Sequence, residues 1–411
     1  VQPKVYSADE HQISPAKIDK HVYYIIRKLN EAGFKAYLVG GGVRDLLLNH
    51  RPKDFDISTD AKPEEVKAIF RNCILIGRRF RLAHVRFGKK ILEVSTFRAG
   101  DPETSELIVQ DNIWGSPEED VLRRDFTING LFYDPEEETL IDYVGGFSDI
   151  GKKVLRSIGV AEVRFKQDPV RMIRLLKFLA RFDLSADAEA LDALNRCKKE
   201  ITKSSPARIL EELLRMLESG ASEAFFRNLT QYGILHHLMP PVAKELEDEN
   251  SSIYLYLAEA DNEVSKGPNH VLERPVLLSC LLFPILHEKI KRKIEKEESP
   301  PHLGTIAEAS AMLIDETFKP FFLLPRRIKA AMISIMTNQY RLTPLDERKR
   351  KRKAPRDMFF GLALRLFKVR STLEPEYLKI YTDWTENIFK SHQAQQWDRK
   401  PKRRRRRKRP R

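Results

Sequence analysis

Residues 38–59 read LVGGGVRDLLLNHRPKDFDIST, and this stretch decides the fold. The apolar run over 36–39 predicts a strand, which feeds three glycines, Gly40, Gly41 and Gly42. A short helix over 43–48 is expected next. The basic turn Arg51-Pro52-Lys53 then leads to a second strand over 54–58 carrying Asp54 and Asp56. Glycines let a backbone approach a phosphate closely, and amides opening a helix point at an anion. Aspartates two apart on a strand face one way. Two such carboxylates repel unless a cation lies between them, and hard oxygen ligands suit Mg²⁺. A pair of ions about 3.5–4 Å apart serves an in-line displacement at phosphorus. The combination therefore points to nucleotidyl transfer. Neither half is informative alone: a glycine run is ordinarily a turn, and DxD is ordinarily surface charge. GxxxxGK[ST] is absent, and GGGVRD does not fit GxGxxG.

Outward from this stretch, 411 residues allow two or three domains with sizeable cores. Hydrophobic residues make up 42% and charged residues 32%, the balance of a soluble chain. The longest apolar run, 276–286, is too short for a bilayer and contains Ser279 and Pro284, so a buried helix is expected and no membrane span. The polar opening VQPKVYSADEHQ shows no secretory signal. Cys73, Cys197 and Cys280 are too isolated for a disulfide framework or a zinc site, which suits buried thiols in a reducing cytoplasm.

The net charge of +14 is unevenly placed. Residues 399–411, RKPKRRRRRKRPR, hold eleven Lys/Arg; without them 62 basic residues face 59 acidic ones. This reads as a disordered polycation that either holds polyanions in a salt-dependent way or only solubilises the chain. Another basic run, 348–353, is either an RNA-facing patch or a solvated loop.

Along the chain, Ser14-Pro15 predicts a helix start, with Ile18, Val22, Tyr23, Ile26 and Leu29 at helical spacing and Gly33 as the stop. A helix is expected over 63–70, then short strands over 74–76, 83–87 and 91–97. Glu93 falls in the last of these, as either a third metal-directed carboxylate or an ordinary strand-face charge. Around LIGRRFRLAHV, Arg78, Arg79 and Arg81 suit phosphates or acids, while His84 reads as a switch or base or, better, as a satisfied core histidine. Residues 99–119 lack periodicity and read as a loop. Arg123-Arg124-Asp125 precede an apolar segment; arginine forks suit triphosphate oxygens, although a lone RRD is ordinarily a salt-bridge cluster. Asp142 either braces the turn at Gly145-Gly146 or caps it. From about residue 160 the pattern is helical. In QDPVRMIRLLKFLARF, Asp168, Arg171 and Arg174 recur at spacing three, offering acceptors and donors for a base edge or an ordinary helical ion pair. Pro206 opens a second amphipathic helix closed by Gly220, and helices follow over 221–345, 358–367 and 377–389.

The ordered motifs GGGVRD with DFD, RRDFTIN, DYVGG and DPVRMIRLLKF resemble the class II tRNA nucleotidyltransferase/poly(A) polymerase family, over roughly 6–220. LIGRRFRLAHV, DNIWGSPEEDVLRRDFTIN and the arginine-rich end are similar to its bacterial poly(A) polymerase I branch. The resemblance implies an α+β chain: a small mixed-sheet head over 1–157, a helical neck over 158–220, a helical RNA-binding body over 221–390 and a disordered basic tail over 391–411. It implies metal-binding catalytic residues Asp54 and Asp56, with Asp125 counted with the active site. It places Gly41, Gly42, Arg44 and Asp45 around the incoming triphosphate, Arg124 on the nucleotide, and Asp168 with Arg171 on the base. The implied activity is template-independent addition of AMP from ATP to RNA 3′ ends, with Mg²⁺, ATP and RNA as cofactor and partners. RNA-decay proteins are a further partner class, and the setting is cytoplasmic. Gln167 departs from the family's usual Glu and removes a charge beside the base-facing pair. Gly130 replaces a usual small Ala or Ser. A CCA-adding enzyme and a non-catalytic RNA-binding adaptor are the competing readings.

Overall fold

The computed structural model describes residues 2–77, 82–99, 113–345 and 355–386. Arg78, Arg79 and Arg81, the basic run at 348–353 and the tail at 391–411 lie outside the described residues. The chain divides into two compact units, Val1–Ile209 and Leu210–Arg411, a division that falls inside the segment 158–220.

The first unit is built on a mixed sheet. Its strands, in chain order, are β1 (Lys4–Tyr6), β2 (Ala36–Val39), β3 (Asp56–Thr59), β4 (Cys73–Ile76), β5 (Leu82–Phe87) and β6 (Lys90–Thr96). Two short strands, β7 (Arg98–Ala99) and β8 (Ile113–Trp114), pair with each other apart from it. Two more, β9 (Leu131–Asp134) and β10 (Thr139–Asp142), complete the spatial order β1-β10-β9-β2-β3-β6-β5-β4. Among the described residues of this sheet only β3 and β6 pair parallel, because the chain between them crosses back through a helix and the β4–β5 hairpin.

The helices of this unit are α1 (Ala8–His11), α2 (Lys20–Glu31), α3 (Gly41–Leu47), α4 (Pro63–Ile69), α5 (Pro117–Leu122), α6 (Gly146–Gly151), α7 (Ala161–Gln167), α8 (Val170–Arg181) and α9 (Ala188–Cys197). Helices α2 and α4 pack on one face of the sheet, and Ile57, Ala83, Val85, Leu92 and Val94 are buried there. The alternation that buries these residues sends their neighbours Asp56, His84 and Glu93 to the other face. On the β2–β9 half of that face, Val39, Phe97, Val121, Phe132 and Ile158 form a second core.

Several sequence expectations need correction. Helix α2 starts at Lys20, because Asp19 is the N-cap and accepts from the His21 amide at 2.8 Å; Ser14-Pro15 open only a short 3₁₀ turn. Helix α3 begins on the glycines rather than at Val43, with Gly40 at φ +66 as its N-cap. Strand β3 begins at Asp56, so Asp54 lies on the approach to the strand. The described ends of the loop expected over 99–119 pair as β7 and β8, and α5 starts at Pro117 behind the Ser116 cap. No continuous helix runs through Gln167: Asp168 is extended at φ −146, and Pro169 restarts the chain as α8.

The second unit is helical in its described residues, including Ser252–Ser265, Arg274–Glu297, Leu303–Phe318, Arg326–Leu342 and Phe360–Leu373. The expected apolar helix lies in Arg274–Glu297, where residues 276–286 are buried. Residues 378–386 are also helical. Among the described residues no helix is long and apolar enough to cross a membrane.

Candidate active site

The acid pair and the glycine turn meet at one end of the sheet. Val39, the last residue of β2, lies in register with Asp56, and Gly40 follows it. A Cβ on Gly42 would come within 3.4 Å of the Asp54 carbonyl, and one on Gly40 within 3.0 Å of an Arg124 guanidinium nitrogen. Gly40, at φ +66, is the position where the turn itself requires glycine.

Asp54, Phe55 and Asp56 alternate exposed, buried, exposed, so both carboxylates share the open side. Glu93 is the cross-strand neighbour of Asp56, and His84 that of Glu93, with His84 Nε2 3.6 Å from Glu93 Oε2. His84 is half-buried on the acid face, which overturns its reading as a core histidine. Asp56 keeps solvent contact at its edge but lies in a crowded recess. Desolvation first, then Glu93, raise its pKa to about 6; Arg124 opposes this, and Asp54 adds to it. Like charges crowded without a counter-ion are what a divalent cation relieves. Among the described residues no three His, Cys, Asp or Glu side chains close around a metal position. The donor set that fits is the open carboxylate pair, leaving other positions to water and phosphate oxygens, as Mg²⁺ prefers.

Behind this front lies a buried polar network. Asp120 accepts from Arg124 Nη2 at 2.7 Å and from Arg123 Nε at 2.9 Å. Burial pushes the Asp120 carboxyl up, but Arg124 and Arg123 outweigh it and hold it below the usual range. Arg44 is buried over the adjacent rings of Phe178 and Phe182, 4.9 and 4.8 Å from their centroids. Its guanidinium donates to Asp45 at 2.6 Å and to Asn129 Oδ1 at 2.7 Å. Asn129 Nδ2 donates to Asp125 Oδ1 at 2.9 Å, and Arg174 lies 3.0 Å from Asp125 Oδ2. Burial works to raise Asp125, yet Arg174, Asn129 and Arg171 keep it low and ionised. The structure therefore places Asp125 and Arg44 beneath the turn, bridged by Asn129.

Arg171 and Asp168, expected to face the base, are held by protein partners. Arg171 Nη2 donates to the Arg123 carbonyl at 2.8 Å. Arg164 donates to the Leu122 and Arg124 carbonyls at 3.1 and 2.9 Å and to Gln167 Oε1 at 2.7 Å. These arginines cap the C-terminal carbonyls of α5, where positive charge is favoured. Burial lowers Arg164 to about 10, with Arg171 adding to the shift. Asp168 receives both guanidinium nitrogens of Arg208, at 3.0 and 2.8 Å. Asp142 accepts from the amides of Val144, Gly145, Gly146 and Phe147, so it caps the turn.

Sequence reasoning missed Asp120, Asn129 and Arg164. Asp120 stands three and four residues before the two arginines on one helical face, a spacing that was legible. Asn129 and Arg164 join segments far apart in the chain and carry no local signal.

Comparison with known proteins identifies what the chain is similar to. Residues 36–156 match the family described as Poly A polymerase head domain, and residues 183–246 the one described as Probable RNA and SrmB- binding site of polymerase A. Poly(A) polymerase I of Salmonella typhimurium is 35% identical over 92% of this chain and 84% of its own length. The Escherichia coli O157:H7 protein of that name is 36% identical over 83% and 76%. A CCA-adding enzyme of Lactobacillus johnsonii is 35% identical over 49% of this chain and 51% of its own. Among solved structures, the Bacillus stearothermophilus CCA-adding enzyme in complex with CTP superposes with a TM-score of 0.65 at 23% identity, covering 88% of this chain and 81% of that one. This last likeness speaks to the fold.

Proposed function

The chain belongs to the poly(A) polymerase I family of nucleotidyltransferases, and we propose from this that it extends RNA 3′ ends with AMP taken from ATP, without a template. The acceptor 3′-oxygen forms a bond to the α-phosphorus, the bond to the β-phosphate oxygen breaks, and pyrophosphate leaves with the hydroxyl proton released to solvent. The observation that carries the reading is Asp56, beside Asp54 and Glu93, crowded against Arg124 at the mouth of the glycine turn.

Asp54 and Asp56 are the residues that would hold Mg²⁺, which when bound lowers the pKa of the acceptor hydroxyl and neutralises the leaving group. Gly41 and Gly42 keep side chains out of the path of the triphosphate. Arg124, fixed by Asp120, presents a positioned guanidinium to the phosphates. Arg44 and Asp45 act from beneath, holding the turn in place through Asn129. Asp125, one bond further along that network, keeps Arg174 and Asn129 oriented. Asp168 and Arg171 are the acceptor and donor assigned to the N6 amine and ring nitrogen of adenine, which would exchange for the Arg208 fork on Asp168.

The match at 183–246 supports RNA as the acceptor; an RNA-decay protein is the further partner proposed. Buried, unpaired Cys73, Cys197 and Cys280 support a cytoplasmic setting.

The test offers each of the four nucleoside triphosphates separately, with Mg²⁺ and a generic RNA primer, and resolves products by length. The expected result is a long ladder with ATP alone. Efficient CTP use on a tRNA lacking its 3′ end, followed by a stop after one A, would replace this reading with CCA addition. The coverage of the relatives favours polyadenylation: the poly(A) polymerases match most of the chain and the CCA-adding enzyme half of it.

A further inference from the structure

The open half of the acid face has a composition that triphosphate binding does not explain. One rung runs Asp56, Glu93, His84, Ile74 across β3, β6, β5 and β4. On its two sides the same face carries Ile76 at the outer edge and the pair Arg86 and Ile91 at the glycine end. Ile74, Ile76 and Ile91 are 44%, 44% and 46% exposed, and Arg86 is exposed too. Isoleucines grouped on an open sheet beside ionised groups mark a surface that something covers.

In-line chemistry says what that is. The attacking and leaving oxygens lie on opposite sides of the phosphorus. The nucleotidyl-transfer reading, on which this inference rests, puts the triphosphate at the glycine turn and Arg124, on the β2 side of Asp56. The attacking hydroxyl then arrives from the β6 side. The face it must cross is the one bearing Ile91, His84, Ile74 and Arg86.

We infer that the β4–β6 face seats the 3′-terminal nucleotides of the RNA acceptor. Ile91 and Ile74 carry the flat surfaces of ribose and base. Arg86, at the glycine end, takes a backbone phosphate. His84, beside Glu93, borders the terminal ribose. Neighbouring strands stand about 4.8 Å apart, so Ile74 on the outer strand lies about 15 Å from the acid strand. Contacts to aliphatic side chains and one phosphate distinguish no base, as addition to varied 3′ ends requires.

The test uses the full chain and an RNA primer ending in 4-thiouridine, photocrosslinked and mapped by peptide. Crosslinks within residues 82–93 are expected. In steady-state assays Arg86→Ala should raise the primer KM about tenfold and lower the slope of log KM against log salt by about one. Ile91→Ala should raise the primer KM about threefold or more. The ATP KM should stay within about twofold in both, since neither residue faces the triphosphate. Crosslinks confined elsewhere, or unchanged primer KM and salt slope with AMP incorporation intact, would overturn the seat alone and leave this face to a protein strand added at the β4 edge. No AMP incorporation by the unaltered chain would bring down the transferase reading first, and the seat with it.

Discussion

Arg44 and Asp125 are held by one side chain: Asn129 accepts from Arg44 at 2.7 Å and donates to Asp125 at 2.9 Å. This bridge ties the helix that follows the glycine turn to the segment that follows Arg124, and so fixes two walls of the site together.

Removing the bridge leaves two buried charges short of a partner. Asn129→Ala should cost about 2–4 kcal/mol in urea unfolding and raise the KM for ATP. A loss under about 0.5 kcal/mol with an unchanged KM would mean that the bridge is incidental.

Asp56 works against the fold. Asp56 has a folded pKa of about 6, above the unfolded aspartate value near 4. Its charged form therefore destabilises the metal-free protein above about pH 6, and the penalty disappears below the unfolded pKa. Asp56→Asn should raise Tm at about pH 7, with a gain that shrinks towards about pH 4, while AMP incorporation is lost. A Tm gain that does not vary with pH would show that Asp56 is not under this strain.

Gly145 and Gly146 constrain the Asp142 turn for different reasons. Gly145 has φ +82 with open space around it, whereas a Cβ on Gly146 would lie 2.1 Å from the Thr127 carbonyl oxygen. Gly145→Ala should cost about 1–2 kcal/mol, the left-handed penalty. Gly146→Ala should cost more, about 3 kcal/mol or above, because backbone must move. Equal costs by denaturant unfolding would contradict this packing.

The departure at Gln167 is structural. Its carbonyl oxygen accepts from buried Arg164 at 2.7 Å. Gln167→Glu should add a charge-assisted bond, raising stability by about 1 kcal/mol near neutral pH. The new carboxyl would have a depressed folded pKa, so the gain is present above the unfolded Glu value and lost as pH falls through the folded one. Preference for ATP over CTP should be unchanged; a marked shift in that ratio would place residue 167 in base reading.

The head was legible because its signals are local. The strand–glycine–helix–strand order, the paired aspartates and the alternation in β5 and β6 all depend on neighbours within a few residues. Consecutive residues also stated the resemblance, through motifs in a set order. Where local preference competed with context, the reading slipped. Asp19 rather than Ser14 caps α2, because its side chain reaches the His21 amide. Pro169 breaks a periodic pattern that looked continuous.

By itself, then, the sequence determined the α+β plan, the glycine turn and the acids that front it. Only the tertiary structure decided that Glu93 stands beside Asp56 and His84 beside Glu93, that Arg44 lies under the turn, and that Asn129 links it to Asp125. Register between strands and the burial of a charge are settled by segments far apart in the chain. A string of residues states which groups are present, while their fields and hydrogen bonds depend on distances that exist only once the chain has closed on itself.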